Sequence, residues 1–350
     1  MNMRERILAV VRGQPLDKIP FILYEDIFPT EDLIEILGVN NFGLMRWSEV
    51  HRVIHPNCRF DTEEFRIDHN RWQRTILFTP VGNIYEERVF EPVLNSSSVR
   101  KHYLETKKDY EVLWYYLKDS NLLPDYDRYH RDQAELGDFG LPLVAVERTP
   151  YQQLWIIWTG LDNLSYHWSD FPDHVEQTIE LLTARETKLF DIAYHSPAPF
   201  IDFPDNITAP AIGPVRFQKY CVPLYDELAG MLRDQNRLVF VHMDGDLKPL
   251  WKQITESHIG GLDSFSPSPD NDTSVEEAVA LWPEKRLFLN FPSSIHLQSV
   301  NEIREVADSI LKAAGHTGRL QIQISENVPP STWKTNLPQI IQAIDDFGAP

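Results

Sequence analysis

The sequence predicts an α/β fold in which parallel strands form a barrel, and three observations support it. Short β-branched or aromatic runs alternate with helical patterns through the second half of the 350-residue chain. The runs recur at a spacing of roughly 35 residues, as expected for parallel βα units. The alternative, an open doubly wound sheet, is disfavoured because none of the 15 glycines lies in a GxGxxG phosphate-binding turn.

The second half of the chain contains most of the predicted elements. Its predicted strands are Phe200–Phe203, Leu238–Val241, Leu262–Phe265, Arg286–Asn290 and Leu320–Ile324. Helices are predicted at 222–235 and 247–257, and further helices begin near residues 274, 299 and 336. Ser274 with Glu277, and Ser299 with Glu302, have the spacing of capping boxes, and Gly315 is predicted to end the second of these helices.

The first half is less regular. Lys18–Leu23 and Pro142–Val146 are predicted as further strands of the sheet. Between them, Arg74–Phe78 and Ile84–Phe90 flank Thr79–Asn83, which predicts a β-hairpin rather than a βα unit. A barrel with an elaborated N-terminal third accommodates both halves. We therefore expect one barrel domain over residues 1–350, since such domains often exceed the usual size.

Composition limits the partners and the compartment. Asp and Glu number 52 against 33 Lys and Arg, a formal net charge of −19 that disfavours nucleic acid and anionic membranes as partners. Cys58 and Cys221 are too few for a disulfide framework or a Cys-rich metal site. The N-terminal segment predicts an amphipathic helix rather than a signal peptide, and no apolar run is long enough to span a membrane. A cytoplasmic protein with a small-molecule substrate is expected.

Polar residues follow several predicted strands, and strand ends are where barrel enzymes carry their chemistry. His242 and Asp244 are two residues apart after the strand at Leu238, so on an extended segment they point the same way. They are candidates to converge on one metal ion or one substrate. The alternative is that His242 is a hydrogen-bonded core residue and Asp244 belongs to a plain turn.

Three other strand ends carry candidates. Asp205 and Asn206 follow the strand at Phe200, where helix capping or an Asx turn is the alternative role. Glu326 follows the last strand and is either a pocket carboxylate or a solvated loop residue. Tyr24 ends the first strand and is a candidate proton donor or pocket wall. Together these residues predict an acidic pocket that contains a histidine.

Several motifs, in order along the whole chain, resemble the uroporphyrinogen decarboxylase superfamily. These motifs are Arg4–Gly13 followed by Pro15–Pro20, Thr79–Asn83, Asp205-Asn206, Pro223–Tyr225, His242-x-Asp-Gly245 and Val328–Pro330. The resemblance implies a single (β/α)8 TIM barrel. It also implies one of two chemistries, because the superfamily contains porphyrinogen decarboxylases and a branch of corrinoid-linked methyltransferases.

The sequence departs from the decarboxylases in the segment after the first strand. They hold the carboxylates of the porphyrinogen with arginines there, whereas Phe21–Pro29 contains Glu25 and Asp26 and no arginine. An acidic segment would repel such a substrate. Uroporphyrinogen is therefore not expected to be the substrate.

The methyltransferase branch holds zinc with His-x-Cys after the fifth strand and a Cys before the proline-containing loop after the eighth. The resemblance places His242, Asp244 and Glu326 at these positions, with carboxylates in place of both thiolates. Such a set still suits zinc or another divalent ion. Its harder ligands favour polarising an oxygen, as in a methoxyl group, over activating a thiol.

The interpretation that follows is a metal-dependent methyltransferase that moves a methyl group between a small substrate, such as a methoxylated one, and a corrinoid carried by a partner protein. Asp205 and Asn206 would orient the substrate or support the metal ligands. The alternatives are a decarboxylase of a carboxylic acid or porphyrinogen-type substrate, a metal-dependent barrel isomerase or lyase, and a non-catalytic binding protein.

Overall fold

A computed structural model of the protein describes residues 1–25, 27–92 and 96–350. The strands, in chain order, are β1 Phe21–Tyr24, β2 Gly43–Ser48, β3 His51–Ile54, β4 Arg59–Ile67, β5 Asn70–Thr79, β6 Gly82–Glu91, β7 Ser96–Lys101, β8 Asn121–Pro124, β9 Gly140–Val144, β10 Phe200–Phe203, β11 Leu238–His242, β12 Gly261–Phe265, β13 Arg286–Asn290 and β14 Leu320–Ile324. The helices are α1 Met3–Arg12, α2 Thr30–Leu37, α3 Asp109–Lys118, α4 Tyr126–Leu136, α5 Pro150–Gln153, α6 Leu161–Asp170, α7 Pro172–Tyr194, α8 Ala209–Tyr220, α9 Val222–Leu232, α10 Trp251–Glu256, α11 Val275–Leu281, α12 Val300–Ala314 and α13 Trp333–Phe347. A π-helix covers Leu154–Thr159.

The chain forms two compact units. One comprises residues 1–50, 125–146 and 193–350, and the other comprises residues 51–124 and 147–192. The division into two compact units does not determine whether they fold and unfold together. A single domain over residues 1–350 therefore stays a prediction.

The larger unit contains the predicted parallel sheet. Its eight strands follow the order β10-β11-β12-β13-β14-β1-β2-β9, and every pair along that order is parallel. An isolated parallel bridge between Ala145 and Asp202 links the two ends of the sheet, which is therefore nearly closed into a barrel. The α/β barrel prediction is confirmed. Strand β2 was not predicted, and β1 begins at Phe21, three residues after the predicted start of the first strand.

The end of the barrel where the strands begin is apolar. Phe200, Phe240 and Phe288 come from three strands, and their ring centroids lie 4.5–5.8 Å apart. Helix α1 packs on the same cluster through Met3, Ile7, Val10 and Val11. The Nε of Arg286, at the start of β13, donates to the carbonyl of Val11 at 3.1 Å, which ties the end of α1 to that strand. This end of the barrel is therefore closed.

The next layer of inward-facing residues is polar. Because side chains alternate along a strand, the residue two positions after each phenylalanine points into the barrel as well. The buried polar residues two positions after the phenylalanines are Asp202, His242 and Asn290, and Asp263 and Gln323 pair in register with His242 and Asn290. Gln321 is a further buried polar residue, which pairs in register with Phe288. The barrel therefore changes from apolar to polar along its axis, and the polar layer lies toward the carboxyl ends of the strands.

Capping explains where several helices begin. Ser274 and Ser299 accept from the backbone N–H of Glu277 and Glu302, which confirms both predicted capping boxes. Gly315 is the C-cap residue of α12, as predicted, but it has right-handed helical angles, because a 3-10 turn follows and the left-handed residue is Gly318. None of the described helices has the length and apolar composition needed to cross a membrane.

The smaller unit contains the predicted hairpin within a larger antiparallel sheet. β4, β5, β6 and β7 pair in that order, and Thr79 pairs with Gly82 across the hairpin turn. Cross-strand ion pairs such as Arg74–Glu87, at 2.6 Å, lie on this sheet. The extra antiparallel strands of the N-terminal third are thus confirmed. A second, two-stranded sheet joins β3 to β8.

His296 is a titratable side chain in the interior of the fold. It is wholly inaccessible, and its Nε2 has no hydrogen-bond partner among the described residues. The side-chain amide of Asn336 donates to the carbonyl oxygen of His296 at 2.8 Å. Burial lowers the pKa of His296 to about 4, although the negative charge of Asp270 opposes this shift. The folded protein therefore holds this imidazole neutral.

We predict that His296 makes the fold sensitive to mild acid. Between pH 6.5 and 4 the unfolded chain binds a proton at this residue and the folded chain does not, so the free energy of unfolding falls as the pH falls. The loss reaches about 3 kcal/mol at pH 4. Urea denaturation at pH 7 and pH 4.5 should show a smaller fall for His296→Gln than for the original chain. His130→Gln, at an exposed position, is the matched control, and equal falls in all three proteins would contradict the prediction.

Candidate metal centre

Five residues at the carboxyl ends of the barrel strands form a cluster that we call the mouth cluster: Tyr24, His242, Asp244, Asp263 and Glu326. Tyr24 ends β1, His242 ends β11, and Asp263 lies in β12. Asp244 and Glu326 lie in the loops that follow β11 and β14. All five belong to the larger unit. The alternation along the strands and the barrel topology together bring them to one end of the sheet.

His242 lies between two carboxylates. Its Nδ1 is 2.9 Å from Oδ2 of Asp263, and its Nε2 is 3.6 Å from Oδ2 of Asp244. Burial acts to lower the pKa of His242, but hydrogen bonds and charge from Asp244 and Asp263 outweigh burial and raise it well above its ordinary value. The two ring nitrogens therefore face different acids, one inside the barrel and one in the loop.

The loop that carries Asp244 is fixed by its neighbours. Asn206 donates from Nδ2 to Oδ2 of Asp244 at 2.6 Å, and Asn271 donates from Nδ2 to the backbone carbonyl of Asp244 at 2.7 Å. A Cβ at Gly245 would lie 2.3 Å from the Cβ of Thr208, so only glycine allows these two loops to approach. Burial acts to raise the pKa of Asp244, but His242 and Asn206 lower it overall.

Glu326 completes the set that the sequence analysis proposed as metal ligands. One ligand atom from each of His242, Asp244 and Glu326 lies within 4.8 Å of the other two. Burial raises the pKa of Glu326, and the negative charge of Asp244 raises it further. Two carboxylates that face each other in this way are stabilised by a cation between them.

The separations suit a divalent ion. Ligand atoms about 2.0–2.2 Å from a tetrahedral zinc lie roughly 3.3–3.6 Å from each other. The 3.6 Å between Nε2 of His242 and Oδ2 of Asp244 agrees with that spacing, and a carboxylate oxygen of Glu326 lies within 4.8 Å of both residues. One imidazole and two carboxylates form a donor set typical of zinc and similar ions, with coordination positions left for water or substrate.

Sequence reasoning missed Asp263 and the side chains that hold it. The hydroxyl of Tyr24 donates to Oδ2 of Asp263, and Gln323 donates from Nε2 to Oδ1 at 3.1 Å. Gln321 donates in turn to Oε1 of Gln323 at 2.9 Å. The signal was present in the sequence, because Gln321 and Gln323 occupy alternate positions of the otherwise apolar Leu320–Ile324, and Asp263 is a charged residue inside the strand Leu262–Phe265. Such residues face the barrel interior, and an interior polar residue needs partners.

Tyr24 is buried, and its hydroxyl hydrogen is directed at Asp263. Burial raises the pKa of Tyr24 well above its ordinary value, and the charges of Asp263 and Asp202 add to the effect. Trp47, which sequence reasoning also missed, packs edge-on against Tyr24 with ring centroids 5.3 Å apart, and it lies 6.2 Å from the ring of His242. Trp47 remains 37% exposed. It therefore forms an aromatic wall beside the mouth cluster, with Tyr24 behind it.

The other sequence-predicted residues lie around this centre in different ways. Asn206 contacts Asp244, as a residue that supports a metal ligand would. Asp205 is wholly buried and accepts a hydrogen bond from the hydroxyl of Tyr225 in α9. Burial raises the pKa of Tyr225, and so does the charge of Asp205. The predicted substrate-orienting role of Asp205 stays a prediction, and the contact itself shows that Asp205 anchors α9.

The acidic segment after β1 contributes less negative charge than its sequence suggests. Glu25 pairs with the guanidinium of Arg46 through two hydrogen bonds of 2.5 and 2.8 Å. Arg46 also contacts Glu135 at 2.5 Å. Asp26 lies outside the described residues. The carboxylate of Glu25 is therefore paired with an arginine of the neighbouring strand β2, and this arginine is shared with Asp132 and Glu135.

Comparison with known proteins identifies the fold but no family. The sequence matches no protein-family model and no curated protein. The structure is similar to that of a methyltransferase from Methanosarcina mazei, with a TM-score of 0.57 and 13% identity over 99% of both chains. At that identity the likeness shows a shared barrel fold. The resemblance to the uroporphyrinogen decarboxylase superfamily stays a prediction.

Two of the other solved structures that match have much lower similarity. MenC from Desulfotalea psychrophila LSv54 has a TM-score of 0.26 and 11% identity over 83% of this chain and 90% of its own. An L-Ala-D/L-Glu epimerase has a TM-score of 0.25 and 13% identity over 85% of this chain and 81% of its own. Scores this low carry no argument about fold or function.

The contact between Tyr225 and Asp205 gives a prediction about stability. Tyr225→Phe removes a donor from a wholly buried carboxylate and should lower the free energy of unfolding by about 1–3 kcal/mol. Asp205→Ala should cost a similar amount, and the double variant should lose less than the sum because both changes remove one shared contact. Urea denaturation measures all three. Tyr166→Phe, at an exposed position, is the control, and strictly additive losses would show that the two residues act independently.

Proposed function

We propose that this protein is a metal-dependent methyltransferase of the barrel type. The observation that carries the proposal is the convergence of one imidazole and two carboxylates, His242, Asp244 and Glu326, at the carboxyl ends of the barrel strands. In barrel enzymes this end carries the chemistry. We attribute this convergence to a bound ion, because the half-buried carboxylates of Asp244 and Glu326 repel each other and a cation between them relieves that repulsion.

Zinc is the first candidate for the ion, because it accepts both imidazole and carboxylate ligands. His242 would bind through Nε2, since its Nδ1 contacts Asp263. Asp244 and Glu326 would each supply one oxygen, and Asn206 would keep the carboxylate of Asp244 in place. When bound, the ion would act as a Lewis acid toward an oxygen of the substrate.

Methyl transfer from an oxygen is the reaction this donor set favours. Carboxylates are harder ligands than thiolates, so the centre is better suited to polarising an ether oxygen than to activating a thiol. Trp47 offers a flat apolar surface beside the cluster for the body of a small methoxylated substrate. The methyl acceptor in this proposal is a corrinoid carried by a partner protein. The methyltransferase from Methanosarcina mazei has a similar barrel fold, and this reaction is compatible with that likeness.

The metal prediction is tested by binding alone. Protein freed of metal with a chelator should bind one equivalent of Zn²⁺ or Co²⁺ in a calorimetric titration. His242→Ala, Asp244→Ala and Glu326→Gln should each weaken binding by more than about 100-fold, the upper end of losses seen for residues that only support ligands. His258→Ala is the matched control, because His258 forms a separate exposed pair with Asp226 at 3.4 Å. Unchanged affinity in the three ligand variants would contradict the site.

The reaction is tested with a panel of methoxylated aromatic compounds and reduced free cobalamin as the acceptor. The O–CH₃ bond breaks, the substrate oxygen leaves with its electron pair, and the reduced cobalt supplies the electron pair of the new bond to carbon. Methylcobalamin formation, followed by its visible spectrum, should require the metal-loaded protein and should be lost in Glu326→Gln. Uroporphyrinogen serves as a second substrate test. Release of coproporphyrinogen without methyl transfer would favour the decarboxylase alternative.

A further inference from the structure

We infer that Asp263 is the positioning residue of this centre: it holds the Nδ1–H of His242, so that Nε2 of the same ring is presented to the metal ion. The inference rests on the proposed function, because it assumes that His242 is a metal ligand. It adds a residue that no motif or comparison assigned. It also gives a role to the hydrogen-bonded polar side chains of Asp263, Gln323 and Gln321 inside the barrel.

The first step concerns the two nitrogens of His242. A neutral imidazole binds a metal through one nitrogen and carries its hydrogen on the other. Oδ2 of Asp263 lies 2.9 Å from Nδ1, which places an acceptor where that hydrogen must be. Nε2 is directed at Asp244, 3.6 Å away, on the side where Glu326 completes the donor set. The ring is therefore already oriented for binding through Nε2.

The second step concerns how Asp263 itself is fixed. Both of its oxygens have partners: Oδ2 accepts from the hydroxyl of Tyr24, and Oδ1 accepts from Nε2 of Gln323 at 3.1 Å. Gln323 is oriented by Gln321, which donates to its Oε1 at 2.9 Å. These donors come from β1 and β14, so the carboxylate is held from two strands other than its own.

The backbone beside Asp263 gives a third, independent observation. Ser264 has a φ of 53°, in the left-handed region, and the pairing of β12 with β13 shifts register between Leu262 and Phe265. A non-glycine residue adopts this conformation only when its surroundings hold it there, and such irregularities are common beside functional sites. The hydroxyls of Ser264 and Ser325 lie 2.6 Å apart and link the loop after β14 to this point.

A purely structural role for Asp263 would have different consequences. A carboxylate that only filled the barrel would affect folding, whereas a positioning carboxylate also determines which nitrogen of His242 carries the hydrogen. Residues that support a metal-bound histidine in this way typically contribute about 10- to 100-fold to metal affinity. The tautomer and the affinity are therefore the quantities that separate the two roles.

The experiment is a Co²⁺ titration of metal-free full-length protein, followed by the visible absorption of the bound ion. Asp263→Asn keeps the shape of the side chain and should bind Co²⁺ about 10- to 100-fold more weakly than the original chain. Asp226→Asn is the matched control, because it removes a carboxylate next to an exposed histidine, His258, away from the mouth cluster. Its Co²⁺ affinity should be unchanged.

A second readout reports on the histidine directly. In zinc-loaded protein labelled with ¹⁵N-histidine, His242 should show its hydrogen on Nδ1, and this resonance should shift in Asp263→Asn and stay in place in Asp226→Asn. If Asp263→Asn does not fold, Tyr24→Phe tests the same inference. It removes the donor that shares Oδ2 with His242 and should weaken Co²⁺ binding by roughly 10-fold, the lower end of the same range.

The outcomes separate this inference from the proposed function. If the original chain binds Co²⁺ and the Asp263 and Tyr24 variants bind it equally well with an unshifted Nδ1 resonance, Asp263 is not a positioning residue, although the metal site stands. If the original chain binds no Co²⁺, the metal site and this inference both fail. Weaker binding with a shifted resonance in the variants, and neither change in Asp226→Asn, supports both.

Discussion

The contact of His242 with two carboxylates constrains the whole open end of the barrel. Each ring nitrogen of His242 faces one carboxylate. Asp263, which faces Nδ1, lies on the adjacent strand, and Asp244, which faces Nε2, lies in a loop. The loop can supply Asp244 only because Gly245 allows it to pack closely against Thr208. The interior can supply Asp263 only because Tyr24 and Gln323 satisfy its oxygens. Removing any of these contacts would leave a buried charge or polar atom without a partner, which is unfavourable.

The interior of the barrel is polar at this end and apolar at the other end. Phe200, Phe240 and Phe288 pack together below the polar layer, and α1 covers them. The apolar layer stabilises the fold because its side chains are removed from water. Desolvation of the polar layer is unfavourable, and the hydrogen bonds within that layer mainly fix the orientations of its side chains. Apolar residues at the positions of Asp263 and Gln323 would avoid this cost of desolvation. The polar layer is therefore consistent with the proposed site, where side-chain orientation matters.

The sequence predicts much of this barrel because its signals are local. Apolar runs and capping boxes are recognised from residues that are close together in the sequence. The structure confirms the boxes Ser274–Glu277 and Ser299–Glu302. The convergence of His242, Asp244 and Glu326 required a barrel topology as well, which a family resemblance supplied. The roles of Asp205 and Glu25 could not be predicted, because Tyr225 and Arg46 lie 20 and 21 residues away on other elements. Asp263 was missed for a different reason, since a polar residue inside a strand was interpreted only as part of the strand.

The low identity to the Methanosarcina mazei methyltransferase agrees with this separation between fold and site. At 13% identity the two chains share a barrel fold. A barrel requires only side chains of suitable size and apolarity at its inward-facing positions, with alternating strands and helices around them. The mouth cluster is more constrained, because each of its side chains contributes to the proposed site only in contact with the others. In the proposed metal site, carboxylates at Asp244 and Glu326 in place of thiolates would leave the barrel intact and would change which substrate atoms an ion there could polarise. Chemistry in such a fold is therefore decided by the few side chains that follow the strands, and for this protein those side chains are acids around a single histidine.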